Sequence, residues 1–327
     1  TPLAEVDFLL AVNDFSRTGA LRFRQEGQAV FLSAEQDVPP LLHLDELTRA
    51  VANAESDSPE LRALARLRQA GSTLGGARPK CSVIDEEGAL AIAKFTSTLD
   101  THAVEKAEVL TLWLARDTGI KTPSARLVMS AGLPVAIISR FDRAGTRRLP
   151  FISAQTLLDA PTATGGTYLE VADALRAHSA NPQADLAELF RRVAFTILVS
   201  NVDDHLKNHG FLHVGQGRWR LSPIFDVNPA PERQRELKTA IADPGEPQAS
   251  LDLLMAHAFY FEQGADEAIR MIGNMAHTIF GQWRAQAKVL GMTRAEVEDF
   301  RPAFEHPEMD WALALKNPRI GATSSGT

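Results

Sequence analysis

Residues 199–229, VSNVDDHLKNHGFLHVGQGRWRLSPIFDVNP, restrict the possible folds of this chain more than any other stretch. Two apolar runs, 211–214 and 219–221, flank Gly215-Gln216-Gly217, and apolar residues bounded by a Gly-rich turn read as the arms of a hairpin. Asp203 and Asn208 precede the hairpin, and Asp226 follows it. Both aspartates therefore fall on loops at the ends of a small sheet, where binding and catalytic groups concentrate.

That set has a defined chemistry. Phosphoryl transfer to a hydroxyl needs a carboxylate that orients the hydroxyl and accepts its proton, together with oxygen ligands for Mg²⁺ on the nucleotide phosphates. Asp-x-x-x-x-Asn followed by a later Asp is the spacing that protein kinases use for this purpose. Asp203 is then the base, and Asn208 and Asp226 the metal ligands. Any one of them alone is an ordinary turn or cap residue; it is the combination that points to chemistry. A rival reading uses His205 and His209, four apart beside Asp203 and Asp204, which on a helix would present two metal ligands. Gly210 and the strand-like Phe211 argue against a long helix there.

Composition narrows the classes. With 327 residues, 45% hydrophobic and 23% charged, the chain is globular in character and long enough for one bilobal domain or two ordinary ones. A net charge of -7 speaks against a broad nucleic-acid-binding surface, whose affinity comes from Lys and Arg neutralising phosphates. The single cysteine, Cys81, excludes an intrachain disulfide and a Cys-based zinc site, as in a reducing compartment. No apolar run is long enough to cross a bilayer and none at the start resembles a signal peptide, so the expectation is a cytoplasmic protein without a membrane partner. Residues 3–12 are amphipathic and run straight into Gly19-Ala20-Leu21-Arg22-Phe23, which reads as the interior of a longer protein.

Taken in order, residues 30–32 suggest a short strand and 41–54 a helix. Asp57-Ser58-Pro59-Glu60 opens another helix with Leu61, Leu64 and Leu67 on one face. Residues 71–80, GSTLGGARPK, combine glycines, hydroxyls and cations ahead of a strand. They suit a phosphate, although most such segments are only turns. Residues 81–84 and 89–95 form a predicted hairpin, with Lys94 in line with Leu90 and Ile92. Such a lysine often snorkels from a strand end, but in a kinase this is the place of the phosphate-binding lysine. A helix over 100–119 carries the stripe Ala103, Ala107, Leu110 and Leu114. Glu108 borders that stripe; an exposed glutamate is its default reading, and a partner for Lys94 its kinase reading.

Strands over 126–130 and 135–139 lead into Arg140-Phe141-Asp142-Arg143. Residues 143–148 read as a basic, mobile loop, solvated by default, with a contact to substrate or DNA as the alternative. Helices over 168–180 and 185–200 precede the catalytic stretch, the second anchoring Asp203 through Leu186, Leu189, Phe190, Val193 and Ile197. Further helices are predicted over 251–261, 265–290 and 293–300, with a loop at 243–247 and a disordered tail at 320–327.

Gly-rich loop, Lys strand, Glu helix, strands, hinge, helices, catalytic loop and metal Asp occur in the order found in kinases. The segments GSTLGGARPK, AIAKF, SRFDR, NVDDHLKN and SPIFDVNP resemble those of the HipA family, bacterial serine/threonine kinases that act as toxins in toxin-antitoxin pairs. The resemblance covers about residues 15–300. It implies an α+β, bilobal protein-kinase-like fold, with a mixed N-terminal lobe over 1–140 and a mainly helical C-terminal lobe over 141–327. It also implies ATP and Mg²⁺ as cofactors, protein hydroxyls as substrate, and a small HipB-like antitoxin through which alone the chain would reach DNA. By matching positions, Asp203 is catalytic, Asn208 and Asp226 bind the metal, and Lys94, paired with Glu108, reaches the phosphates. Gly75, Gly76, Ala77, Arg78, Pro79 and Lys80 lie over the nucleotide. Ser139, Arg140 and Phe141 form the adenine hinge, and His205, Lys207 and Phe225 join the nucleotide site.

Family members usually carry a segment of small β structure ahead of Gly-Ala-Leu-Arg-Phe, which this sequence lacks. The family's prototype switches itself off by phosphorylating a serine in the Gly-rich loop; counting back from Lys80 puts Thr73 at that place, with Ser72 adjacent. Two other classes share the prediction of ATP binding: a kinase-like small-molecule phosphotransferase and a nucleotide-binding regulator without turnover.

Overall fold

Alternation along the strands makes a sheet with two unlike faces, and that sheet is the roof of the site. β1 (Lys80–Ile84), β2 (Leu90–Phe95), β3 (Ala125–Ser130) and β4 (Leu133–Ser139) form a four-stranded antiparallel sheet in the order β1-β2-β4-β3. Cys81, Val83, Ala91, Ala93, Phe95, Val135 and Ile137 bury one face against Leu44, Leu47 and Val51 of α2 (Leu44–Glu55), which follows the short helix α1 (Glu5–Ala11). The side chains of the intervening positions, Ile92, Lys94 and Ile138 among them, therefore point the other way, because successive strand residues alternate. Burial pushes the Cys81 thiol up to about 12, so it is an inert core group.

The computed structural model describes residues 4–34, 38–39, 41–55, 78–232 and 235–315. The helix expected from Asp57, the loop residues Ser72, Thr73, Gly75, Gly76 and Ala77, and the tail lie outside them.

The helix after β2, α3 (Val104–Asp117), is buried on nearly every side, as a helix apolar around its circumference must be. Ala107, Val109, Leu110, Leu112, Leu114 and Ala115 share one core with the carboxyl-terminal helices. Burying one such leucine contributes about 1.5–3 kcal/mol. Lys106 bridges to Glu296 at 2.9 Å, and Thr111 donates to Val227 O at 2.6 Å. Thus α3 is fixed from both sides. It starts at Val104 rather than Asp100 because the Asp100 carboxylate is taken by Ser97 N and by Arg78, at 2.8 and 2.6 Å, and so does not cap the helix.

Past the sheet come a two-stranded hairpin, β5 (Arg143–Ala144) and β6 (Arg147–Arg148), then β7 (Phe151–Ser153) and the single turn α4 (Ala154–Leu157). The helices α5 (Tyr168–His178) and α6 (Pro182–Leu198) follow. The hairpin expected between the aspartates is β8 (Gly210–Gly215) and β9 (Arg218–Leu221), which joins β7 in a three-stranded sheet. Sequence signals start the helices: Thr167 and Glu170 make a capping box on α5, and Asn181 caps α6 ahead of Pro182.

The carboxyl-terminal part is α7 (Leu251–Ala256), α8 (Ala265–Val289), α9 (Arg294–Phe304) and α10 (Pro307–Leu313). Trp283 stacks on Phe304 at 4.8 Å in its core. The helix predicted over 251–261 breaks at His257, whose ring bonds Leu253 O at 2.9 Å, and a 3₁₀ turn continues over Ala258–Phe261. α9 runs beyond Phe300, and α10, capped by His306 ahead of Pro307, was not expected. Residues 30–32 form no strand; Leu32 N donates to Phe23 O at 2.8 Å and Arg22 lies over the Phe31 ring, which places them in a loop. The whole is a mixed sheet-and-helix part followed by a mainly helical part, the α+β kinase-like architecture that the sequence implies. Among the described residues no helix is long and apolar enough to cross a membrane.

Candidate active site

A cavity of about 400 Å³ lies between the sheet face, α3 and the loops around β8 and β9. One end is ionic. Lys94 Nζ sits 2.5 Å from Glu108 Oε1 and 2.9 Å from Asp226 Oδ1, which brings β2, α3 and the segment after β9 to one point. Burial alone would lower the Lys94 ammonium, but the two carboxylates more than offset it and hold the lysine protonated. Burial pushes Glu108 up, against the pull of Lys94. For Asp226 burial also acts upward, yet Lys94 and Lys80 bring it down to about 2.

Lys80 faces Lys94 directly across the β1–β2 pair and also lines the cavity. Burial and the neighbouring Lys94 lower its ammonium. Like charges opposite each other on a sheet are unfavourable, so this pair is best matched by an anion between the walls.

The stretch from Asp203 to Asn208 is held by its neighbours. Asp203 is exposed, and its main-chain oxygen accepts from His205 N at 3.0 Å and Asn208 Nδ2 at 3.2 Å. With its NH₂ engaged, the Asn208 amide oxygen is the end able to bind a cation. Next in sequence, Asp204 is buried: Tyr168 donates to it at 2.6 Å, Thr196 at 3.4 Å, and His209 Nε2 lies 3.2 Å away. Burial would raise its carboxyl, and His209, Tyr168 and Thr196 together bring it below the ordinary value. These contacts of Asp204 were not anticipated. The doubled Asp was a signal, because a tight turn with one aspartate outward turns its neighbour inward.

The zinc alternative does not survive these contacts. His205 lines the cavity, while His209 packs edge-on against Tyr168 at 5.5 Å and faces Asp204. The two histidines are thus committed to different surroundings, and the described residues hold no group of three His, Cys, Asp or Glu placed for a metal.

The opposite end is apolar. Ile92 and Ile138 of the sheet and Leu112 of α3 line it beside Phe141, Phe151 and Phe225, whose rings lie 5.5–6.2 Å apart. Phe151 escaped the sequence reading. Its signal was Gly210, where a Cβ would come within 2.4 Å of the Phe151 ring.

Of the expected nucleotide contacts, Lys80, Lys94, Glu108, Ser139, Arg140, Phe141, His205, Lys207, Asn208, Phe225 and Asp226 line this one cavity. Arg78 and Pro79 are not among its walls. Arg78 is spent on Asp100 and Glu105, at 2.6 and 2.7 Å. Residues 143–148 are a hairpin whose tip, 144–147, is exposed, as a solvated loop would be, but Arg143 and Arg148 are tied to Asp142 and residues 14–19, since a buried carboxylate, Asp142, and main-chain oxygens need those donors.

The donor chemistry fits Mg²⁺ with a phosphate ligand. Asp226 and Asn208 offer oxygen atoms, which this hard cation prefers. His205 Nδ1 and Asn228 Oδ1 are buried without a hydrogen-bond partner among the described residues. Asp226 itself has φ +57°, a left-handed conformation that costs energy in a non-glycine residue and clusters at functional sites.

Comparison with known proteins bears on the family and the fold. A family model described as the HipA-like C-terminal domain matches residues 72–283. A protein of Haemophilus influenzae named "Putative kinase" is 25% identical over 50% of this chain and 55% of its own length. "Putative kinase Y4dM" of Sinorhizobium fredii is 25% identical over 65% of this chain and 51% of its own. The chain thus spans about half the length of the curated relatives it matches. Among solved structures, a chain from the Shewanella oneidensis MR-1 toxin-antitoxin complex of HipA, HipB and operator DNA superposes with TM-score 0.67, covering 88% of this chain and 74% of that one. The Helicobacter pylori proinflammatory kinase CtkA gives 0.52, covering 73% and 91%. Both are 16% identical to this chain, a level at which the likeness concerns the fold.

Proposed function

The chain belongs to the HipA-like C-terminal domain family, and on that premise we propose that it is an ATP-dependent serine/threonine protein kinase. The observation that carries the proposal is the Lys94–Glu108–Asp226 cluster, with Lys80 beside it, at the ionic end of a cavity whose other end is lined by aromatic rings. A nucleoside triphosphate has the matching polarity, a flat apolar base at one end and a polyanion at the other.

In this reading Lys94 and Lys80 bind the phosphates, and Glu108 keeps Lys94 extended toward them. Asn208 and Asp226 hold Mg²⁺, which when bound neutralises the charge developing on the transferred phosphoryl group. Ser139, Arg140 and Phe141 border the base, and His205 and Lys207 flank the phosphates. Asp203 faces solvent, where an acceptor hydroxyl arrives; it orients that hydroxyl and accepts its proton during attack. Asp204, gripped by Tyr168, Thr196 and His209, keeps Asp203 in place. The lobe boundary falls after the hinge, near residue 140.

By analogy with the Shewanella complex, a small HipB-like, DNA-binding antitoxin is the proposed partner. Self-phosphorylation at Ser72 or Thr73 is the proposed control, since about two added negative charges in a loop over the phosphates repel the nucleotide.

The test is incubation with labelled ATP and Mg²⁺, with and without cell lysate, followed by mapping of the phosphorylated sites. The wild type should label protein hydroxyls, its own residues 71–80 included, and Asp203→Ala should not. Equal labelling by both proteins, or labelling of small molecules alone, overturns the proposal.

A further inference from the structure

Residues 14–19 reach the cavity from the amino-terminal part of the chain, far from every motif that marks the site. Thr18 is part of the cavity wall. The next residue, Gly19, donates its N–H to Asp142 Oδ2 at 2.7 Å and has φ +74°, and a Cβ there would lie 3.2 Å from Phe151 N. Gly19 lies against Phe151 and Asp142, and Phe151 and Phe141 line the aromatic end, so Thr18 meets the cavity on that side.

The segment is tightly held. Arg140 donates to Ser16 O at 2.5 Å and Arg17 O at 3.3 Å, and Arg143 to Phe15 O at 3.1 Å, Arg17 O at 2.8 Å and Gly19 O at 3.2 Å. Asp142 in turn accepts from Arg140 Nε at 2.8 Å and Arg143 Nη1 at 2.6 Å, so one carboxylate aligns both arginines. Ser16 is fully buried, and Asp142 is 3% exposed. A chain bound through so many of its carbonyls is a wall and not a passing loop.

We propose that residues 15–19, locked to the hinge by Asp142, close the base end of the nucleotide site, and that Thr18 is the side chain that selects the purine nucleotide. The inference rests on the kinase reading above and goes beyond it, because the segment lies outside the region matched by the family model. Thr18 touches the ligand in this scheme, whereas Asp142 is a positioning residue.

The experiment is equilibrium titration of the whole chain with a fluorescent ATP analogue, competed by ATP, GTP and inorganic tripolyphosphate, with melting temperature as control. Thr18→Leu narrows the base end and should weaken ATP about tenfold or more, alter the ATP-to-GTP ratio, and leave tripolyphosphate competition and the melting temperature unchanged. Asp142→Asn should raise the KM for ATP more than it lowers kcat, and expose residues 14–22 to protease. ATP affinity of Thr18→Leu within twofold of wild type, or an equal loss of tripolyphosphate binding, overturns the inference. A wild type that binds no nucleotide overturns the kinase reading beneath it, so the two failures are distinct. If Asp142→Asn does not fold, Thr18→Leu alone decides.

Discussion

Around Lys94, two carboxylates share one ammonium beside an open cavity, whereas around Asp14 and Asp142 the arginines outnumber the acids and the surroundings are closed. The Asp226 side chain keeps 35% of its surface exposed and Asp142 only 4%. Asp14 binds Arg22 and Arg148, and Asp142 binds Arg140 and Arg143. Both acids lie below the ordinary carboxylate range: burial raises them, and their arginine neighbours overcome it. The two clusters use the same chemistry for different ends. Where donors saturate the carboxylates, an ionic cluster fastens one segment of chain to another; where a carboxylate keeps exposed oxygen on a cavity, as Asp226 does, it stays open to a ligand.

The largest effect that can break this contrast is in turnover. Asp226→Asn keeps the shape of the side chain but removes the charge a metal needs, so phosphoryl transfer should fall by at least about 10³-fold while the melting temperature stays near the wild-type value. Retained turnover would remove Asp226 from the site.

Next is stability. Lys94→Met strands Glu108 in the core, which costs about 3–5 kcal/mol, read as a lowered midpoint in urea. Lys94→Met with Glu108→Leu should recover most of that loss and still bind nucleotide no better than the single variant. A double variant as unstable as the single one would show that the pair is not the isolated ionic unit described here.

The smallest effect is in pH, and it sharpens the contrast by locating a third group. His306 caps α10, accepting from Met309 N at 3.1 Å while its other nitrogen faces Leu198 O at 3.0 Å, an arrangement that suits the neutral ring. Burial, reinforced by Arg235, lowers it to about 4. Between its ordinary value near 6.5 and 4 the unfolded chain takes up a proton that the folded one refuses, so stability falls as pH falls through that window, by about 3 kcal/mol in all. Asp14, Asp142 and Asp226 titrate below it. His306→Asn keeps a capping oxygen without the titration and should flatten the unfolding midpoint between pH 6.5 and 4; an unchanged slope would assign the loss elsewhere.

Much of the site was legible because its groups are written locally. Asp203 and Asn208 share one turn, Asp226 follows one hairpin, and Lys94 shows itself by interrupting an apolar strand face. Two glycines were harder to read: Gly19 and Gly210 matter through what passes beside them, Phe151 in both cases. Arg143 and Arg148 looked like a solvated basic run because their partners lie more than a hundred positions earlier.

The sequence by itself determined the kinase order of elements, the α+β architecture and the turn that carries Asp203 and Asn208, since spacing and alternation act over a few residues and need no distant partner. Tertiary structure alone decided which charges meet. Lys94 and Asp226 are 132 positions apart, and Gly19 and Asp142 are 123 apart. Whether a carboxylate becomes a metal ligand or a fastening depends on how many donors surround it and how much of it stays open to a cavity. Those quantities exist only once the chain has closed on itself.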